Sequence, residues 1–184
     1  MLVGVVLTGG SSRRMGRTKA LIEVEGAPMA SVVAEALRGA GCQTVVAVGG
    51  NPEELSDLDI TVLPDEKPGQ GPLGGVISAL GAHANMATAV AVVACDLPWL
   101  TSQDLSPLVL AARENPTADV VVARTARLEP ACAVWNVDCL PVLREFFVNG
   151  ERALHPAIER LSSIEVTVDE RAMRNVNTPS DLDR

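Results

Sequence analysis

Residues 7–19 read LTGGSSRRMGRTK and directly follow the apolar start MLVGVV. Gly9 and Gly10 can turn the chain sharply where a first strand ends, because glycine tolerates φ > 0 and leaves backbone N–H groups open to a ligand. Ser11 and Ser12 add hydroxyl donors, and Arg13, Arg14 and Lys19 add cationic ones. Amides, hydroxyls and cations together suit phosphate oxygens, above all those of a polyphosphate. The spacing is neither GxxxxGK[ST], since Lys19 stands between Thr18 and Ala20, nor GxGxxG, which disfavours a Walker loop and a dinucleotide dehydrogenase. A Gly-Gly pair alone would read as a tight turn beside solvated arginines. The whole segment lies where open α/β sheets bind ligands, outside the carboxyl end of a strand, and there it reads as a phosphate loop.

Three further stretches could complete such a site. AVAVVACDLPWL, residues 89–100, runs an apolar strand straight into Asp96, a position suited to holding Mg²⁺ against phosphates. Taken alone, Asp96 fits the capping of a turn equally well. LPDEKPGQGPLGG, residues 63–75, offers Asp65 as an acceptor for donors on a base or ribose. Its glycines, Gly74 among them, offer close backbone approach to a planar base, although an ordinary Pro/Gly connection has the same composition. RNVNTPSDL places Asn175 and Asn177 ahead of a Pro-initiated helix, where Asn177 could complete a metal or phosphate shell. By itself this motif reads better as a turn before an N-cap at Thr178.

Short β-branched runs alternating with segments of helical period are the sign of βαβ units, and these must carry the loops. Strands are expected over Val3–Thr8, Thr44–Val48, Ile60–Leu63, Ala89–Cys95, Ala118–Arg124, Ala131–Asn136 and Ile164–Val168. Helices are expected over Met29–Ala40, Leu73–Ala84, Ser102–Glu114 and Asp138–Phe147, with shorter ones near Ala153–Leu161 and from Pro179 onward. Thr101 or Ser102 reads as an N-cap, and Gly39 or Gly41 as a helix stop. LEPACAVWN, with no long helix before it, reads as an antiparallel insertion in an otherwise parallel sheet. The expected fold is a single Rossmann-like three-layer α/β/α domain spanning residues 1–184.

Composition agrees. A chain of 184 residues can bury roughly 70% of its unfolded surface in one domain. With 47% apolar residues but two Phe, two Trp and no Tyr, the core must be aliphatic, as in a buried parallel sheet. A net charge of -8 without Lys/Arg runs argues against a nucleic-acid partner. No apolar run reaches the ~20 residues of a membrane span and the start does not resemble a signal peptide, so no membrane partner and a cytoplasmic location are expected. Cys42, Cys95, Cys132 and Cys139 are scattered without a CxxC pair and read as buried apolar residues rather than zinc ligands or disulfides.

With these motifs in this order, LTGGSSRRMGRTK, LPDEKPGQGPLGG, CDLPWL, PACAVW and NVNTP, the chain resembles the molybdenum cofactor guanylyltransferases of the nucleotide-diphospho-sugar-transferase-like group, nearly end to end. The resemblance implies transfer of GMP from GTP to molybdopterin with release of pyrophosphate. It also implies a Mg²⁺ cofactor and transient contact with other molybdenum cofactor biosynthesis or acceptor proteins. It implies that Leu7, Thr8 and Gly9 begin the nucleotide site, with Gly10 and Ser11 in the loop. Lys19 and Arg14 would meet phosphate, Asp65 the nucleotide, Asp96 the metal, and Asn177 the acceptor and metal. The chain departs from the family pattern at Thr8, where LAGG is usual, at Thr18, where Asp commonly precedes the lysine, and at Val48, where Asn is frequent. The rival readings are a cytidylyltransferase acting on molybdopterin, a sugar-phosphate nucleotidyltransferase, and an inactive nucleotide-binding partner.

Overall fold

Alternating side chains along the strands sort the core into two layers, one on each face of a single sheet. The computed structural model describes residues 1–9, 18–177 and 181. Its strands are β1 (Leu2–Leu7), β2 (Glu23–Val24), β3 (Ala27–Pro28), β4 (Thr44–Val48), β5 (Thr61–Leu63), β6 (Ala89–Ala94), β7 (Val120–Arg124), β8 (Leu128–Asn136) and β9 (Ser163–Thr167). Its helices are α1 (Met29–Gly39), α2 (Pro72–His83), α3 (Ser102–Glu114), α4 (Leu140–Val148) and α5 (Leu154–Ile158).

Seven strands form one sheet in the order β5-β4-β1-β6-β8-β7-β9, and β2 pairs with β3 separately. β8 runs antiparallel to both β6 and β7, while the other pairings in the large sheet are parallel. The antiparallel insertion expected of LEPACAVWN is therefore present. Val6, Ala47, Val93 and Val121 pack with α1 and α3 on one face. Val5, Val48, Val92 and Val122 pack with α2, α4 and α5 on the other. A sheet buried on both faces needs apolar residues at every position, which is why β1 and β6 read as unbroken apolar runs.

Local chemistry sets the boundaries. Thr101 caps α3 in a reciprocal box with Asp104, whose carboxylate accepts from the Thr101 N–H at 2.9 Å. The helix expected from Asp138 begins instead as a 3-10 turn over Val137–Cys139, and α4 starts beside Pro141, which fits a first helical turn because it needs no N–H partner there. The small β2–β3 hairpin has no counterpart among the sequence expectations. Glu25 and Gly26 form its two-residue turn with φ of 53° and 83°, the primed geometry that matches strand twist. The helix expected from Pro179 onward lies outside the described residues, apart from Asp181. All four cysteines are buried and unpaired, as their scatter suggested.

Candidate active site

Parallel order brings the carboxyl ends of β1, β4, β5 and β6 to one edge, and the sequence motifs gather there. Val48 at the end of β4 anchors the chain leaving β1: its carbonyl accepts from the N–H of Thr8 at 3.0 Å and of Gly9 at 3.3 Å. The Cys95 N–H donates to the Leu7 carbonyl at 3.1 Å, which ties the exit of β6 to the same point. Gly49 closes the junction. It sits at φ 83°, and a Cβ there would lie 2.8 Å from Gly9 Cα and 2.9 Å from Gly9 N, so a side chain would collide with backbone.

Thr8 is 6% exposed and donates its hydroxyl to the Gly49 carbonyl at 2.6 Å. Its side chain thus braces the β1–β4 junction. Leu7 likewise packs into the core beneath α2. Gly10, Ser11 and Arg14 lie outside the described residues.

The charged part of the site is assembled from three distant segments. Lys19 Nζ stands 2.7 Å from Asp96 Oδ2 and 2.8 Å from Asn177 Oδ1. Asn177 reaches this place because the Val176 N–H donates to the Asp96 carbonyl at 3.0 Å, laying the C-terminal segment across the exit of β6. The Arg174 guanidinium stacks on Trp99 at 4.3 Å and fixes the same segment from its other side. Asn175 does not join this cluster. It lines an adjoining open groove of about 440 Å³ with Thr125, Arg127, Glu129, Arg174 and Asn177.

Asp96 carries the clearest sign of a cation site. Its Oδ1 is buried and has no hydrogen-bond partner among the described residues. A carboxylate oxygen removed from water and left unbonded is costly, and a hard cation is the partner that would satisfy it. No three His, Cys, Asp or Glu side chains gather among the described residues, so such a cation would complete its shell from substrate phosphate and water. Cys95 beside it is no rival nucleophile: burial, and then the negative charge of Asp96, push its thiol up to about 12.

Asp65 stands across the edge. Its Oδ1 accepts from the Lys67 N–H at 2.8 Å and the Ser78 hydroxyl at 2.9 Å, and its Oδ2 approaches Gly9, where an added Cβ would lie 3.8 Å away. Gly74, expected to contact the substrate, is occupied in packing. Its N–H donates to the Gly71 carbonyl, its carbonyl accepts from Ser78, and a Cβ would lie 2.8 Å from that of Lys67. The N-terminus of α2 is closed to anions for a similar reason, because the Leu73 N–H donates to the Arg152 carbonyl at 3.1 Å. Ser78 is the residue that sequence reasoning missed. Its signal was a lone hydroxyl inside the otherwise apolar run LGGVISAL.

A model of the MobA-like NTP transferase domain matches residues 4–165, from the first strand through to β9. The chain belongs to this family. It is a nucleotidyltransferase of that group, as the motif order implied. The molybdenum cofactor guanylyltransferase of Cereibacter sphaeroides is 36% identical over 186 residues, covering 100% of this chain and 94% of that protein. Among solved structures, molybdopterin-guanine dinucleotide biosynthesis protein A from Archaeoglobus fulgidus shares the fold with a TM-score of 0.76 at 22% identity, covering 100% of this chain and 96% of its own. A Mycobacterium tuberculosis protein solved in complex with manganese superposes with a TM-score of 0.75 at 18% identity, covering 100% and 96%. The mostly parallel MobA-like sheet carries a strand-exit aspartate suited to a divalent metal. Among its described residues no helix is long and apolar enough to cross a membrane.

Proposed function

We propose that the protein transfers GMP from GTP to molybdopterin, releasing pyrophosphate and forming molybdopterin guanine dinucleotide. The observation that carries this reading is the convergence of Lys19, Asp96 and Asn177 at the strand ends, beside an open groove. Its guanylyl specificity is drawn from the curated relatives.

In this reading the triphosphate lies along the exit of β1. Gly9, Gly10 and Ser11 donate to its oxygens, while Lys19 and Arg14 balance its charge. Asp65 accepts from donors of the base or ribose through Oδ2. The groove holds the acceptor, with Arg127, Asn175 and Asn177 turned to its polar groups. Asp96, with Asn177 beside it, would hold Mg²⁺, which when bound would supply positive charge against the phosphate oxygens. An oxygen of the acceptor phosphate attacks the α-phosphorus in line, the bond to the bridging oxygen breaks, and pyrophosphate leaves.

That nucleophile is already ionised near neutral pH, so no general base is required. The histidines fit this picture, since His83 is buried with Nδ1 2.8 Å from the Ala79 carbonyl and His155 pairs with Glu159. The product would pass on by transient contact with molybdenum cofactor acceptor proteins.

The test is turnover of GTP with molybdopterin and Mg²⁺, following pyrophosphate and identifying the dinucleotide by mass. Preference for CTP would replace the guanylyl assignment with a cytidylyl one. Saturable GTP binding without pyrophosphate release would make the protein an inactive nucleotide-binding partner.

A further inference from the structure

We propose that Ser78 is the positioning residue that aims Asp65 at the nucleotide. This rests on the reading of Asp65 as a nucleotide contact.

Ser78 lies in the second turn of α2, 3% exposed, among Val76, Ile77 and Leu80. A buried hydroxyl must be hydrogen-bonded, and this one makes more bonds than a helix requires. Its single proton has two acceptors at 2.9 Å, the Gly74 carbonyl of its own helix and Asp65 Oδ1. The carboxylate is the stronger acceptor because it is charged. The Ser78 hydroxyl oxygen in turn accepts from the Glu66 N–H at 2.9 Å. Ser78 therefore grips two successive residues of the loop after β5, one by side chain and one by backbone.

Among the described residues only one carboxylate oxygen of Asp65 is held in this way. Oδ1 takes Lys67 N–H and Ser78 O–H together, which fixes the plane of the carboxyl group and leaves Oδ2 directed to Gly9 at the strand edge. Without the hydroxyl, Asp65 keeps a single donor and regains rotamer freedom. Its aim then has to be restored at each binding event, which appears as weaker affinity.

The experiment measures GTP affinity by calorimetry, together with thermal unfolding, for the wild type, Ser78→Ala, Asp65→Ala and the double variant. Ser78→Ala is expected to weaken GTP about tenfold, on the scale of one hydrogen bond to a charged group. In the Asp65→Ala background the same change should alter affinity by less than about twofold, because there is no longer a carboxylate to aim. The loss of Tm from the unpaired Glu66 N–H should persist in both backgrounds. Ser78→Thr, which keeps the hydroxyl, should restore affinity, and Ser78→Cys, a weaker donor of similar size, should fall between.

Wild-type affinity in Ser78→Ala beside a weakened Asp65→Ala overturns the positioning role alone. So does a full affinity loss in both backgrounds, which marks Ser78 as merely structural. Unchanged affinity in Asp65→Ala overturns the reading of Asp65 itself, and the inference with it.

Discussion

Lys19 and Asp96 are separated by 77 positions in the chain, yet Nζ of one stands 2.7 Å from Oδ2 of the other, and the same ammonium donates to Asn177, 158 positions away. The pairing is a consequence of strand order. β1 and β6 are parallel neighbours, so what leaves one must meet what leaves the other. Lys19 covers one oxygen of Asp96 while the second is buried and has no hydrogen-bond partner among the described residues, an asymmetry that suits a group shared between a cationic side chain and a metal.

Asp96→Ala should lower the rate of pyrophosphate release by at least about 10²-fold, the scale for removing one preorganised electrostatic group. Unfolding midpoints should change little or rise, because the variant no longer buries an unsatisfied carboxylate oxygen. A folded Asp96→Ala protein with full activity would sink the assignment of the metal to this residue.

Gly49→Ala and Gly26→Ala make a matched pair at φ near 83°. At Gly26 nothing among the described residues lies within 4 Å of an added Cβ, and only backbone strain of about 1 kcal/mol is expected. At Gly49 the methyl group meets Gly9 backbone, so Gly49→Ala should cost more than about 2 kcal/mol and weaken GTP binding as well. Urea denaturation beside nucleotide titration separates the two; equal effects at both positions would contradict the close approach.

Thr8→Val keeps the shape and removes the bond to the Gly49 carbonyl. A loss of about 1–3 kcal/mol in unfolding free energy is expected, because a buried carbonyl loses its hydroxyl donor, and Thr8→Ser should recover most of it. A Thr8→Val protein as stable as the wild type would return the hydroxyl to the ligand side of the junction.

The thiols should be inert in the folded protein. Burial raises Cys42 to about 11, and raises Cys95, Cys132 and Cys139 to about 12, from 9.0. Iodoacetamide at pH 8.5 should modify none of them until denaturant is added, with modification followed by mass. The same shifts imply stability that is fully present below pH 9 and is lost as pH rises toward 11 to 12, since the unfolded chain releases those protons first. Rapid labelling of Cys95 in the native state would show that the exit of β6 opens readily.

Much of this protein was legible from its sequence because the signals were local. A strand buried on both faces must be apolar throughout, so β1 and β6 declared themselves, and the turn and charged residues beyond their ends, Gly9, Lys19 and Asp96, stood out against them. Thr101 announced α3 because a capping box is complete within four residues. The β2–β3 hairpin was missed because each strand spans two residues, too short for any periodicity.

What the tertiary structure decided were the partnerships between segments. Sequence could nominate Lys19, Asp96 and Asn177, but their meeting depends on which strands pair, and strand order arises from packing across the whole chain. Hence the bracing of Gly49 by Thr8 and the packing of Gly74 against Lys67 show only in the folded chain. Ser78 went unnominated, since a lone serine in an apolar helix has no meaning until the carboxylate it holds is brought beside it.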